Sequence, residues 1–211
     1  MVVDINKKLR VEINKRGDIS DHLSYLELLS KQCNSILECG VRSAISSWAF
    51  LSGLMKHNSS TKTLHLCDVN YSNNLIEFEQ ACKEQNVEYM FHKCSDLDLP
   101  FKLYDMVFID TWHVYGHLKR ELAKFHSMAT KYIVMHDTEV DKILGETYRA
   151  GLNVQQHEEY VNKLSIESGI PVSEITCGLQ KAIDEFLAEH PEWCVKIQFT
   201  HNNGLTVLER T

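Results

Sequence analysis

The chain has 211 residues, 44% of them hydrophobic and 24% charged, enough for one globular domain with a full core. Its 22 basic and 29 acidic residues give a net charge of −7 with no basic block, which argues against nucleic acid as a partner. The seven cysteines contain no C-x-x-C pair and read as reduced thiols of a cytoplasmic protein. No apolar run, in the opening MVVDINKKLRVEINKRGD or later, is long enough to suggest a secretory signal or a membrane partner.

Residues 1–34 read as an N-terminal helical segment. Within it Leu23, Leu26 and Leu29 fall at threefold spacing over residues 20–32, with Asp18 and Ser20 as candidate caps. Ser35 to Cys39 reads as a short buried strand ended by Gly40. A helix follows with Ile45, Trp48, Ala49 and Ser52 on one face and Gly53 as its expected stop. Thr63 to Cys67 is the second strand, Ser72 is placed to cap a helix running to about Gln85, and Val87 to His92 is the third strand. The fourth strand, residues 105–109, leads into a helix carrying Tyr115, Leu118, Leu122, Phe125 and Met128 on one stripe, and Tyr132 to Met135 is the fifth strand.

From Thr138 to Thr176 the apolar pattern loosens. A polar stretch this long is not a bare connector, and it reads as a partly helical, lid-like insertion. Residues 179–189 return to helix. Two β-runs, Trp193–Thr200 and Leu205–Arg210, then flank Asn202-Asn203-Gly204, a hairpin signal. The alternation predicts one α/β domain: a seven-stranded, mostly parallel sheet with a C-terminal antiparallel hairpin and helices on both faces.

The chemistry-bearing residues gather where strands end. In LYDMVFIDTWH, residues 103–113, an apolar run stops at Asp110 with His113 three residues on, and ligands of open parallel sheets bind past the carboxyl ends of the strands. The first strand–helix turn, ECGVRSAISS, has one glycine and not the three of the dinucleotide fingerprint, which disfavours NAD. Gly40 and Ser43 leave room for a ligand there, and Glu38 can attract a cation, or the segment is a plain turn. Asp68 ends the second strand, where a carboxylate can accept ribose hydroxyls or cap the next helix. Ser95 and Asp96 can bond the exocyclic amine of a base or form a polar turn before Pro100. His136-Asp137 closes the fifth strand, as ligand donors or as a hydrogen-bonded pair. Trp112 is placed either to wall a ligand site or to pack.

Taken together, ILECGVRSAISSWAF, FIDTWHVYGHLKREL and YIVMHDT resemble the class I S-adenosylmethionine-dependent methyltransferases, over roughly residues 20–137. Within them they look like the small-molecule and sugar O-methyltransferase branch called the methyltransferase 24 family. The resemblance implies a Rossmann-like fold and S-adenosyl-L-methionine as cofactor. It implies that Glu38, Gly40 and Ser43 line the methionine part, Asp68 the ribose, Ser95 and Asp96 the adenine, with Asp110 also at the cofactor. It further implies that Asp110, His136 and Asp137 hold Mg2+ or another divalent cation, with His113 as catalytic base. Histidine at 136 departs from the acid that the sugar enzymes carry, and magnesium prefers oxygen ligands. The implied acceptor is a small-molecule or glycan hydroxyl, and the protein could be a homo-oligomer. A non-catalytic methyltransferase-like binding protein and an NAD enzyme are the other readings.

Overall fold

The computed structural model describes residues 3–211; Met1 and Val2, at the start of the N-terminal segment, lie outside the described residues. Helix α1 (Ile5–Asn14) is capped by Asp4, whose carboxylate accepts from the Lys7 amide at 3.0 Å. A single 3-10 turn (Ser20–His22) leads into α2 (Leu23–Ser30). The three leucines at 23, 26 and 29 are buried as their spacing predicts. The expected caps are not caps: Ser20 Oγ instead accepts from Gly17 N and donates to the Glu12 carbonyl, and Asp18 pairs with Arg42.

The sheet strands are β1 (Ser35–Cys39), β2 (Thr63–Cys67), β3 (Glu88–His92), β4 (Tyr104–Ile109), β5 (Ala129–His136), β6 (Trp193–Phe199) and β7 (Leu205–Arg210). They lie in the order β3-β2-β1-β4-β5-β7-β6. The first five run parallel, and β7 enters antiparallel between β5 and β6. The β6–β7 turn places Asn202, Asn203 and Gly204 all at positive φ, a conformation that Asn and Gly adopt more readily than other residues, as the hairpin signal implies.

Side chains alternating along a strand feed opposite faces of the sheet. On β4, Met106 and Phe108 enter the core under α1, α2, α3 (Ile45–Lys56) and α4 (Asn74–Glu84), with Phe50 packed edge-on to Phe108 at 5.1 Å. Val107 and Ile109 enter the core under α5 (Tyr115–Phe125) and α8 (Leu179–Glu189), against Leu118, Leu122 and Ile183. A strand buried on both faces cannot alternate with polar residues, which is why this segment reads as one apolar run.

Gly53 does not stop α3, which continues to Lys56. A Cβ at Gly53 would stand 2.4 Å from Ser30 Cβ and 2.5 Å from the Glu27 carbonyl oxygen, so the glycine is there for the close crossing of α2 and α3. Residues 138–176 are more ordered than their polarity suggests. They hold a 3-10 turn (Glu146–Ala150), α6 (Val154–Ser168) and the short α7 (Val172–Ile175). Asn153 and Gln156 form a reciprocal capping box on α6, and Val161, Ile170 and Ile175 make a small core with Val114.

Candidate functional site

The carboxyl ends of β1, β2 and β4 surround a cavity of about 340 Å³. Gly40, Asp68, Ser95, Asp96 and Asp110 line it, together with Trp112. Gly40 has φ +83°, and a Cβ there would fall 1.8 Å from the Asp110 carbonyl oxygen; only glycine lets β1 turn this tightly against the end of β4. Ser43 lies outside this cavity. It lines a smaller one of about 100 Å³ on the other side of Arg42, which also touches Gly40 and Asp110.

Asp68 is engaged by the turn it faces. Oδ2 accepts from the Val41 and Arg42 amides at 2.9 and 3.0 Å, and Oδ1 from the Asn70 amide at 2.8 Å. The carboxylate therefore holds the β1–α3 turn while lining the cavity. Ser95 caps the 3-10 turn that follows β3 (Asp96–Asp98), accepting from Leu97 N at 3.3 Å. Glu38 lines neither cavity. It is fully buried behind the turn, where Ser46 and Ser47 both donate to it, Ser47 at 2.6 Å. Burial pushes its carboxyl up to about 8 despite the two hydroxyls.

At the far side of Asp110 the structure brings together the other residues singled out at strand ends. His113 Nε2 lies 3.1 Å from Asp110 Oδ1, and His113 Nδ1 lies 3.1 Å from Asp137 Oδ2. His136 Nδ1 is 3.1 Å from Asp137 Oδ1 and 3.5 Å from Asp110 Oδ1, while its Nε2 donates to the Asp18 carbonyl at 3.2 Å. Three residues that sequence reasoning missed complete the cluster, all from the segment after β5. Glu146 Oε2 lies 3.0 Å from His113 Nδ1, and Asp141 Oδ2 lies 3.6 Å from it. Arg149 bonds Asp141 Oδ2 at 2.6 Å and reaches Asp137 Oδ2 at 3.3 Å. Glu146 and Arg149 stand in an LGETYR run and Asp141 just ahead of it, inside a stretch with weak periodicity.

The electrostatics follow from this crowding. Burial alone would lower the His113 imidazole, but bonds to Asp110 and Glu146 and the charges of Asp110 and Asp137 raise it to about 10. Burial pushes the Asp110 carboxyl up, but the bonds to His113 and His136 and their charge outweigh it and hold the group well below the usual carboxylate range. Asp141, buried with Arg149 only partly compensating, is pushed up to about 6.

The residues fit a divalent cation in one respect and resist it in another. Asp137 Oδ1 is buried and accepts no well-formed hydrogen bond, although His136 Nδ1 lies 3.1 Å from it, and donor atoms of Asp110, His113 and Asp137 lie within 4.8 Å of one another. His136 can offer only Nδ1, since Nε2 faces a carbonyl that can only accept. Arg149 already brings positive charge to the Asp137 side. Among the described residues no helix is long and apolar enough to cross a membrane, and all seven cysteines are free.

This arrangement, five parallel strands closed by a reversed β7 with a cavity at the β1, β2 and β4 ends, is the class I methyltransferase fold. Solved structures share it over nearly the whole chain. The O-methyltransferase from Bacillus cereus in complex with SAH is 15% identical at a TM-score of 0.57, covering 98% of this chain and 90% of that one. The SAH-bound Podospora anserina methyltransferase PaMTH1 is 15% identical at 0.54, covering 98% and 87%. The O-methyltransferase TomG from Streptomyces achromogenes, involved in tomaymycin synthesis and solved with SAM, is 16% identical at 0.56, covering 91% and 80%. No protein-family model and no curated protein matches the sequence.

Proposed function

We propose that the chain is an S-adenosylmethionine-dependent methyltransferase that methylates a hydroxyl oxygen of a small molecule or glycan in the cytoplasm. The observation that carries this reading is the cavity in which Gly40, Asp68, Ser95 and Asp96 meet Asp110 at the strand ends of this fold. Three structures sharing that fold hold SAM or SAH, which supports the cofactor. The cavity wall carries Asp68, Asp96, Asp110 and Glu146 against Arg42 and His117, a balance that favours a cationic sulfonium.

Methyl transfer to oxygen needs the acceptor hydroxyl in line with the sulfonium methyl and a destination for its proton. In this reading Asp110 stands between the two: it lines the cofactor cavity and bonds His113. His113 is the proton acceptor once one ring nitrogen is freed: with Asp110 on one nitrogen and Asp137 and Glu146 on the other, the ligand-free ring is held protonated and must give up a proton before it can take that of the hydroxyl. A divalent ion held by Asp110 and Asp137 would supply positive charge that favours the neutral imidazole and lowers the pKa of the hydroxyl. Glu146 and Arg149 tie the 138–176 segment to this end of the site, which supports a lid that covers the acceptor.

The test is calorimetry with S-adenosylmethionine, S-adenosylhomocysteine and NAD, followed by a screen of hydroxyl acceptors with labelled methyl donor, with and without chelator. Binding of both methyl-cycle ligands and not NAD, with label transferred to a hydroxyl compound, is the expected outcome. Tight cofactor binding with no transfer to any acceptor class would favour a binding protein. Binding of NAD alone would overturn the reading.

A further inference from the structure

A second group of buried donors lies at the cavity's other wall, apart from Asp110 and Asp137. Asp96 opens the 3-10 turn after β3, and His117 and Glu121 sit four residues apart on α5, a spacing that puts both side chains on one helix face. His117 Nε2 is 3.3 Å from Asp96 Oδ1 and 3.7 Å from Glu121 Oε1, and donor atoms of all three lie within 4.8 Å of one another. Asp96 is 6% exposed and Glu121 1%. Each keeps one oxygen, Asp96 Oδ2 and Glu121 Oε2, with no hydrogen-bond partner.

Two carboxylates buried side by side need either a shared proton or positive charge between them, and leaving their oxygens unpaired is costly. One imidazole faces both of them. The surroundings hold the donors in place: Thr111 Oγ1 donates to Glu121 Oε1 at 2.5 Å, and the Trp112 ring lies 5.9 Å from that of His117. Two donors each about 2.1 Å from a tetrahedral ion stand about 3.4 Å apart, close to the separations observed here. One imidazole with two carboxylates suits a borderline divalent ion more than magnesium.

We propose that Asp96, His117 and Glu121 form a binding site for a divalent transition-metal ion of the zinc class, with its open position facing the cavity. Asp96 and His117 both line that cavity, so the site is reachable from it. Asp96 then serves as a metal ligand, and Ser95 is left to face whatever the cavity holds.

The experiment is zinc titration by calorimetry of the full chain after chelator treatment and dialysis, independent of any methyl-donor measurement. The wild type is expected to bind one zinc ion at this site, and Glu121→Gln and His117→Ala to weaken that binding at least tenfold. An Asp110→Asn/Asp137→Asn double variant should retain it. Cobalt substitution gives a second readout, visible absorption bands in the wild type that are lost in Glu121→Gln. Urea midpoints check that the variants fold, and the nearly isosteric Glu121→Gln carries the test if His117→Ala does not. No zinc binding by the wild type would show that the carboxylates merely share a proton, and zinc binding unaffected by Glu121→Gln would place the ion elsewhere; either result overturns the proposal.

Discussion

Glu146 Oε2 stands 3.0 Å from Nδ1 of His113, so a residue from the segment after β5 bonds directly to the histidine that follows β4. This contact, with those of Asp110 and Asp137, lifts His113 to about 10 from its ordinary 6.5. A base whose pKa rises on folding stabilises the fold fully below about 6.5, and that stabilisation is lost as pH climbs through about 10. The urea stability of the ligand-free protein should therefore fall between pH 7 and 10, and fall less in His113→Gln. In Glu146→Gln the imidazole loses a carboxylate partner, so its NMR titration midpoint should move down.

Glu38 predicts the opposite assignment of charge. Its carboxyl, pushed up to about 8 from 4.5 by burial, is most compatible with the fold when protonated. For an acid raised on folding, stability is greatest below the unfolded value and declines as pH rises toward the folded one. At pH 7 that decline amounts to roughly 3 kcal/mol. Glu38→Gln, still bonded to Ser46 and Ser47, should be more stable than the wild type at pH 7 and show a flatter profile between pH 5 and 8. A variant that is less stable at pH 7 would mean the carboxylate is ionised in the fold.

Asp68 carries two duties, and a single substitution separates them. Removing its carboxylate in Asp68→Ala leaves the Val41 and Arg42 amides without their acceptor, at a cost of roughly 1–3 kcal/mol in urea stability. If it also accepts ribose hydroxyls, S-adenosylhomocysteine binding should weaken by about 1.5–3 kcal/mol. Calorimetry showing unchanged affinity beside reduced stability would leave Asp68 as a turn anchor alone.

The strands and most helices were legible because burial on both faces of a sheet leaves an unbroken apolar run, and such runs end where the sheet ends. Thus β1, β2 and β7 begin and end where the sequence places them, and Asp68, Asp110 and Asp137 were visible as the acids that stop three of these runs. Gly53 misled because a glycine that permits helices to cross closely looks the same in sequence as one that ends a helix. Glu146, Arg149 and Asp141 were hidden for a different reason. Their positions are set by long-range packing of the 138–176 segment on Val114 and on the Asp137 turn, and nothing periodic marks a residue whose partner lies 33 positions away. The Asp96–His117–Glu121 group likewise depends on how the β3 exit meets α5, although the i, i+4 spacing of His117 and Glu121 was there to be read.

Gly40 offers a test of how β1 and β4 meet. A methyl group there would overlap the Asp110 carbonyl, and the backbone sits in the left-handed region that alanine disfavours. Gly40→Ala should cost on the order of 3 kcal/mol or more in urea stability, with cofactor binding reduced in whatever fraction remains folded. A loss under about 1 kcal/mol, the ordinary scale for a tolerated substitution, would show that this turn adapts.

The proposed catalytic role rests on His113, which touches Asp110, Asp137 and Glu146 yet does not line the strand-end cavity proposed for the cofactor. A group so placed should matter to proton removal and little to cofactor affinity. With an acceptor in hand, His113→Ala should lower turnover by roughly 10²–10⁴ while leaving S-adenosylhomocysteine binding nearly intact. Asp137→Asn, which takes charge from this buried carboxylate, should lower turnover and also blunt its response to added magnesium or manganese. The two variants separate the alternatives for this cluster. If the His113 variant kept full turnover, and activity ignored both a strong chelator and Asp137→Asn, then these residues would only brace the β4 and β5 ends against the 138–176 segment, and the acceptor's proton would leave by another route.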